Sequence, residues 1–248
     1  MRKLLLAVSI LLPFSYAHAL NQDSIIDIMQ KMSAGLVHIK SENAQITKGP
    51  DALVGDKATG RIVVVNPVSV AQYSRDGGGV VVDSSGIIVT NAHTVQSAGR
   101  IKVTLADGEE LVAEPLFIDE LSDVAFIRIQ PQHPLVAIPL ADEEEIILGA
   151  TVYNVGTSSL LHGSFSEGRV VNLGTTQPSE AHTKPRLELF RINFSVYQGD
   201  SGGPVVDAQG RLLGLIVAGS THGDTISMAV PVNKIKDCYF KAIAANHS

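Results

Sequence analysis

Apolar positions in this chain fall into short runs broken by turn residues. Residues 80–82, 87–90, 101–105, 111–118 and 124–129 are each apolar or β-branched and are separated by Gly- and Asp-bearing stretches. Such runs, too short for helices and closed by turn formers, predict strands. The same style returns at 151–155, 168–171, 187–192, 203–206, 212–217 and 226–230. Many short strands at this spacing predict an all-β fold, a barrel or sandwich, rather than an α/β one. Two segments differ. Ile25, Ile26, Ile28, Met29 and Met32 recur at near-helical spacing behind Asp23 and Ser24, either of which can cap a helix, and a strand at 36–39 follows. Val232, Ile235, Tyr239 and Ile243 fall three or four apart, predicting a closing helix over 232–245. Residues 44–76 show no clear period and read as a long surface loop with a possible strand at 62–65. Pro131, Pro134, Pro139 and the acidic run 142–145 suit a solvated linker, dividing the chain into halves at 20–135 and 136–248.

Residues 1–19 change the picture of where the chain works. Met1-Arg2-Lys3, an apolar run over 4–12, Pro13 and the small-residue end Ala17-His18-Ala19 have the anatomy of a cleaved secretory leader. The run is far shorter than the roughly 20 residues of a membrane-spanning helix, so no stable membrane anchor is expected. Net charge is −6, and losing Arg2 and Lys3 makes the chain more acidic, which argues against nucleic acid as a partner. With 45% apolar residues and one cysteine, Cys238, stability must come from core packing without an intramolecular disulfide. Cys238 lies in an apolar stretch and reads as a small buried hydrophobe.

The densest chemical signal is Gln198-Gly199-Asp200-Ser201-Gly202-Gly203-Pro204. Glycines there permit the φ > 0 conformations that let backbone amides converge on one point, as an oxyanion hole requires; the donors would be Gly199 and Ser201. A glycine-rich turn between strands is the plain alternative. A serine hydroxyl needs a base. Of eight histidines, His93 follows a buried run directly, so rigid strands can aim its ring, whereas the others lie in the leader, the tail, loops or an apolar strand. A carboxylate must orient that imidazole. Asp123, entering the apolar run 124–129, fits best; Asp119 is its rival. No His-Glu-x-x-His or paired Cys/His motif occurs, so neither a metal nor another cofactor is expected.

The order His, Asp, Ser and the segments Thr90-Asn91-Ala92-His93, Ser122-Asp123-Val124-Ala125 and Gly199-Asp200-Ser201-Gly202-Gly203 resemble the chymotrypsin-like serine proteases, and within them the HtrA (Deg) family of exported proteases. The resemblance covers most of residues 24–236. It implies two six-stranded antiparallel β-barrels, a triad of His93, Asp123 and Ser201, and a specificity pocket based on Ser195 and walled by Val217, Ala218 and Gly219. None of these four is acidic, so a small or medium apolar residue is expected on the acyl side of the cut bond. Protein or peptide substrates, a trimer and a periplasmic location follow by the same resemblance. HtrA-like enzymes often rest with loops that substrates or partners reorder, which singles out 44–76 and 157–186.

There are departures. HtrA proteins usually carry PDZ domains, yet the residues after Ser201 are needed to finish the second barrel, so none is expected. Asp200 stands where HtrA proteins commonly have Asn and trypsin-like digestive enzymes have an acid that pairs with a new N-terminus. Arg61-Ile62 lacks the usual glycines of such a cleavage site, so zymogen activation is not expected. A second reading is a catalytically weak homologue that mainly binds proteins. The three filled catalytic positions count against it.

Overall fold

The computed structural model describes residues 22–48, 52–55, 62–65, 68–142, 145–157, 164–176, 187–219 and 225–245. The leader read at 1–19 lies outside them. Helix α1 (Gln22–Gly35) buries Ile28 and Met32, one turn apart, and ends where Gly35 passes so close to Ile138 and Val136 that a Cβ would overlap both. Six strands then close an antiparallel barrel: β1 (Leu36–Lys48), β4 (Val68–Asp83), β5 (Ile87–Thr90), β6 (Arg100–Thr104), β7 (Glu110–Asp119) and β8 (Val124–Arg128), in the order β1-β4-β5-β8-β7-β6. A second barrel follows from β9 (Thr151–Val155), β10 (Phe165–Thr176), β11 (Glu188–Ile192), β12 (Pro204–Val206), β13 (Leu212–Gly219) and β14 (Ser227–Pro231), ordered β10-β11-β14-β13-β12-β9. Helix α3 (Val232–Ala245) ends the described chain. The fold is the two-barrel architecture that the sequence predicts.

Three apolar clusters explain why the strand sequences run rather than alternate. Val37, Ile39, Val81, Ile88, Ala125 and Ile127 fill the first barrel, and Val152, Val170, Phe190, Val205 and Leu213 belong to the core of the second. The neighbouring positions Leu36, Val80, Val89, Val124 and Phe126 point outward into a third cluster, where they meet Tyr153, Leu212, Leu215 and Val230 of the second barrel, Ile28 and Met32 of α1, and Ile235 and Cys238 of α3. Strands buried on both faces read as continuous hydrophobic runs. Phe126 and Tyr239 of α3 lie ring to ring at 5.4 Å on this seam.

Two expectations are corrected. Most described residues of segment 44–76 are not loop: β1 and β4 stay paired from Leu36↔Val80 out to Lys48↔Val68, a ribbon extending beyond the barrel, and the strand expected at 62–65 is present as β3 (Ile62–Val65), paired with β2 (Ala52–Gly55). Main-chain pairing runs through the whole of this ribbon, and pairing of this kind asks for no apolar alternation in the sequence. The segment at 130–145 is not a free linker either. Leu135 and Ile138 donate to carbonyls of Ser84 and Val81 in the first half, while Ala141 donates to the carbonyl of Leu212 in the second and the Leu212 amide donates to the Pro139 carbonyl. Of the acidic run, Asp142 is exposed, as expected, and pairs with Lys236, whereas Glu145 is half-buried and pairs with Arg211.

Candidate active site

β5 and β8 pair with Thr90 opposite Ala125, so the residues just past one strand and just before the other lie side by side. Just past β5 is α2 (Ala92–Val95), a single turn anchored by buried Ala92 and Val95, and it carries His93. Just before β8 is Asp123, at φ +54, a left-handed conformation that costs a non-glycine residue about 1–2 kcal/mol. Asn91, fully buried at the N-cap position of α2, makes no cap hydrogen bond; its side-chain amide instead donates to the Asp123 carbonyl at 3.1 Å. In that posture the Asp123 carboxylate accepts the His93 backbone N–H at 2.9 Å and lies 2.8 and 3.0 Å from His93 Nδ1. With Nδ1–H donated there, the lone pair of the neutral ring sits on Nε2. Asp119, the rival carboxylate, turns away: it accepts the Leu121 amide and faces the Cys238 thiol of α3. Burial pushes its pKa up, but hydrogen bonds from Leu121, Ser122 and Cys238 outweigh that and hold it below the usual carboxylate range.

Ser201 comes from the second barrel, in the turn before β12. Gly199 and Gly202 there take φ of +97 and +82, which glycine adopts without steric cost. The turn is internally braced: buried Asp200 accepts the Tyr197 amide through Oδ2 at 2.8 Å, and Gly203 N–H donates to the Asp200 carbonyl. It is also tied to the first barrel, since Gly78 of β4 donates its amide to the Ser201 carbonyl at 2.7 Å while Thr90 Oγ1 donates to the Gly78 carbonyl. Among the described residues, the amides of Gly199 and Ser201 have no acceptor, which leaves both available to a substrate oxygen. The Ser201 hydroxyl donates to the Val217 carbonyl at 3.1 Å. Of the four pocket residues read from the sequence, Val217 therefore meets Ser201 through its main chain. Ser195 is exposed after β11, and Ala218 and Gly219 continue β13 opposite Met228 and Ser227.

A cleft of about 350 Å³ runs beside His93, Thr94, Gln198 and Gly199, and its other wall is Ser74, Arg75 and Asp76 of β4. Those three belong to the stretch read as loop. Asn91, Thr90 and Gly78 were likewise not singled out as supports, although Asn91 lies inside the motif that flagged His93.

The sequence profile described as the trypsin-like peptidase domain matches residues 77–215, more than half of the chain and all three of these positions. The chain belongs to the trypsin-like peptidases. Its relatives in this family include HtrA and Deg proteases. It is 28% identical over 213 residues to HhoA of Synechocystis, named as a serine protease, with 84% of this chain and 54% of HhoA aligned. It is 33% identical over 165 residues to the periplasmic serine endoprotease DegP of Salmonella typhimurium and 30% over 162 residues to mitochondrial HTRA2 of Bos taurus. Those alignments take in 65% of this chain in each case, and 34% and 35% of the relatives. The chain thus spans between a third and about half of these relatives' lengths. A solved HtrA-type protease, AlgWS227A with decapeptide, shares the fold at a TM-score of 0.71, covering 88% of this chain and 66% of that one at 19% identity. Among the described residues, no helix is long and apolar enough to cross a membrane.

Proposed function

We propose that the chain is an exported serine endopeptidase that cleaves unfolded or partner proteins through Ser201, His93 and Asp123. The observation that carries this is the oriented His93–Asp123 pair on one barrel beside a cleft whose lining takes in both His93 and the Gln198–Gly199 end of the glycine turn that bears Ser201 on the other barrel. For reaction, the Ser201 hydroxyl leaves Val217 O, a hydrogen bond worth about 1 kcal/mol, and gives its proton to His93 Nε2 as it attacks the scissile carbonyl. Asp123 stabilises the imidazolium that forms, and the Gly199 and Ser201 amides take the oxyanion, each such donor being typically worth roughly 3 kcal/mol of barrier. His93 then protonates the leaving amine, and water hydrolyses the acyl-enzyme. Ser195, Val217, Ala218 and Gly219 present no carboxylate, which favours a small or medium apolar residue on the acyl side. Export rests on the leader-like residues 1–19, with the periplasm favoured because DegP is named periplasmic. A trimer is the assembly that the HtrA relationship favours.

The Val217 hydrogen bond also favours a second reading, a folded homologue that binds proteins with little catalysis. Casein hydrolysis and fluorophosphonate labelling by the expressed full chain, beside Ser201→Ala, separate the two. Cleavage and labelling lost in the variant support the peptidase; a folded wild type that binds casein yet neither cuts nor labels supports the binding module.

A further inference from the structure

We propose that Arg75, at the base of the β1–β4 ribbon, is a positioning residue for His93, a role that rests on His93 being the base. Alternate positions of β4 enter the first barrel: a Cβ on Gly79 would meet Ile39 and Ile88, and one on Gly77 would meet Thr94 of α2. Arg75 is the next residue on that face, opposite Ser41, so its side chain reaches over the barrel mouth onto α2. There Nη1 donates to the His93 carbonyl at 3.0 Å and, more weakly, to the Gln96 carbonyl at 3.4 Å. The guanidinium carbon lies 5.7 Å from the Tyr73 ring centroid, within reach of a cation–π contact. Asp76, on the opposite face, is engaged elsewhere, with Oδ1 3.3 Å from His38 Nε2.

The need for such a contact follows from the size of α2. A single helical turn is unfavourable by itself, and its last carbonyls have no partner within the helix. The Ala92 carbonyl takes the Gln96 amide, but that of His93 has passed the end of the turn. A charge-assisted donor is the strong way to hold it. Among the described residues, no carboxylate pairs with Arg75, so the charge is not drawn to a competing acid. Among the described residues, Ser41 Oγ on the strand opposite Arg75 and Thr94 Oγ1 on α2 are buried without a hydrogen-bond partner, so neither competes for the two carbonyls that Arg75 holds. His93 is thus held at two points, its ring and N–H by Asp123 and its carbonyl by Arg75. The second hold keeps Nε2 aimed across the cleft.

The test uses Arg75→Gln and Arg75→Lys in the full chain, with rates expressed per site titrated by the fluorophosphonate so that any unfolded fraction drops out. A small acyl phenyl ester, whose leaving group places no peptide in the cleft, is the substrate. Arg75→Gln is expected to lower kcat about tenfold or more, as small displacements of catalytic groups do, with KM within about twofold, and Arg75→Lys to recover most of it. In ¹⁵N-histidine-labelled protein, the Nδ1–H resonance of His93, assigned by its loss in Asp123→Asn, should broaden or vanish in Arg75→Gln and persist in Arg75→Lys. An unchanged kcat, a loss in KM alone, or an unchanged Nδ1–H signal in Arg75→Gln overturns the proposal. The resonance does not need turnover, so a wild type without Ser201-dependent activity would refute the peptidase reading while the hold on His93 is still measured.

Discussion

Substitution of Gly202 by alanine tests whether the nucleophile turn is clamped between the two barrels as described. At φ +82 an L-residue costs about 1–2 kcal/mol relative to glycine. Its Cβ would also lie 2.2 Å from the Gly78 carbonyl oxygen and 2.5 Å from Thr90 Oγ1. The first is backbone, held in the β1–β4 ladder, so no side-chain rotation relieves the overlap, and forced overpacking typically costs about 1–3 kcal/mol more. Relief requires the turn to shift, which breaks the Gly78 N–H to Ser201 carbonyl bond and carries Ser201 with it. Gly202→Ala is therefore expected to lose about 2–5 kcal/mol of stability and at least about tenfold in the fluorophosphonate labelling rate of the folded protein. Gly108→Ala is the control: its φ is +90, but nothing lies within 4 Å of the added methyl. It should lose only the backbone cost, about 1–2 kcal/mol, and label normally. Urea unfolding at constant m, with labelling at native conditions, measures both. Equal losses in the two variants and normal labelling of Gly202→Ala would refute the inter-barrel clamp.

Other parts of the site make separate demands. Asp123→Asn should leave the fold standing and cut kcat by about 10⁴, since an amide cannot select the same imidazole tautomer; a loss under tenfold in steady-state hydrolysis would remove Asp123 from the mechanism. Because the Asp119 carboxyl is held below its ordinary value, the stability it adds is present above the unfolded carboxyl pKa of about 3.9 and fades as pH falls through the folded value. The difference in Tm between wild type and Asp119→Asn should therefore shrink between pH 5 and 3, by scanning fluorimetry, and a constant gap would contradict it. Burial raises the Cys238 thiol pKa, a shift that the Ser122 hydrogen bond only partly opposes, and the residue is 2% exposed. Ellman's reagent should find no thiol at pH 8 in the native chain and one in urea; prompt native reaction would show that α3 does not stay docked.

What could be read from the sequence divides along a physical line. The strands of both barrels were legible because burial on two faces leaves continuous apolar runs, as at 124–129, where four consecutive residues of β8 are buried. His93 and Ser201 were legible because a turn that bears a reactive side chain needs glycines and abrupt strand ends around it. Asp123 is preferred over Asp119 because it leads directly into the apolar run 124–129, and the resemblance strengthens a choice between two acids that precede the same strand. The ribbon was missed because its order comes from main-chain pairing. Residues such as Ser41, Glu42 and Asn43 facing Arg75, Ser74 and Tyr73 carry no hydrophobic period, so strand and loop look alike. Arg75 was lost with it. The passage between the barrels was misread because proline and acid suggest a solvated tether, whereas Ile138 and Ala141 are buried along it.

The apolar seam between the barrels has a consequence for when the chain can act. His93 and Asp123 belong to the first barrel and Ser201 to the second, and the face that sets their separation is filled in part by Ile235, Cys238 and Ala242 of the last helix. Until α3 docks, the part of that face it covers is open to water and the seam that spaces the two halves of the cleft is incomplete. Under the proposed function, full competence therefore follows the docking of α3, and a chain that has not reached that step works at a fraction of its rate.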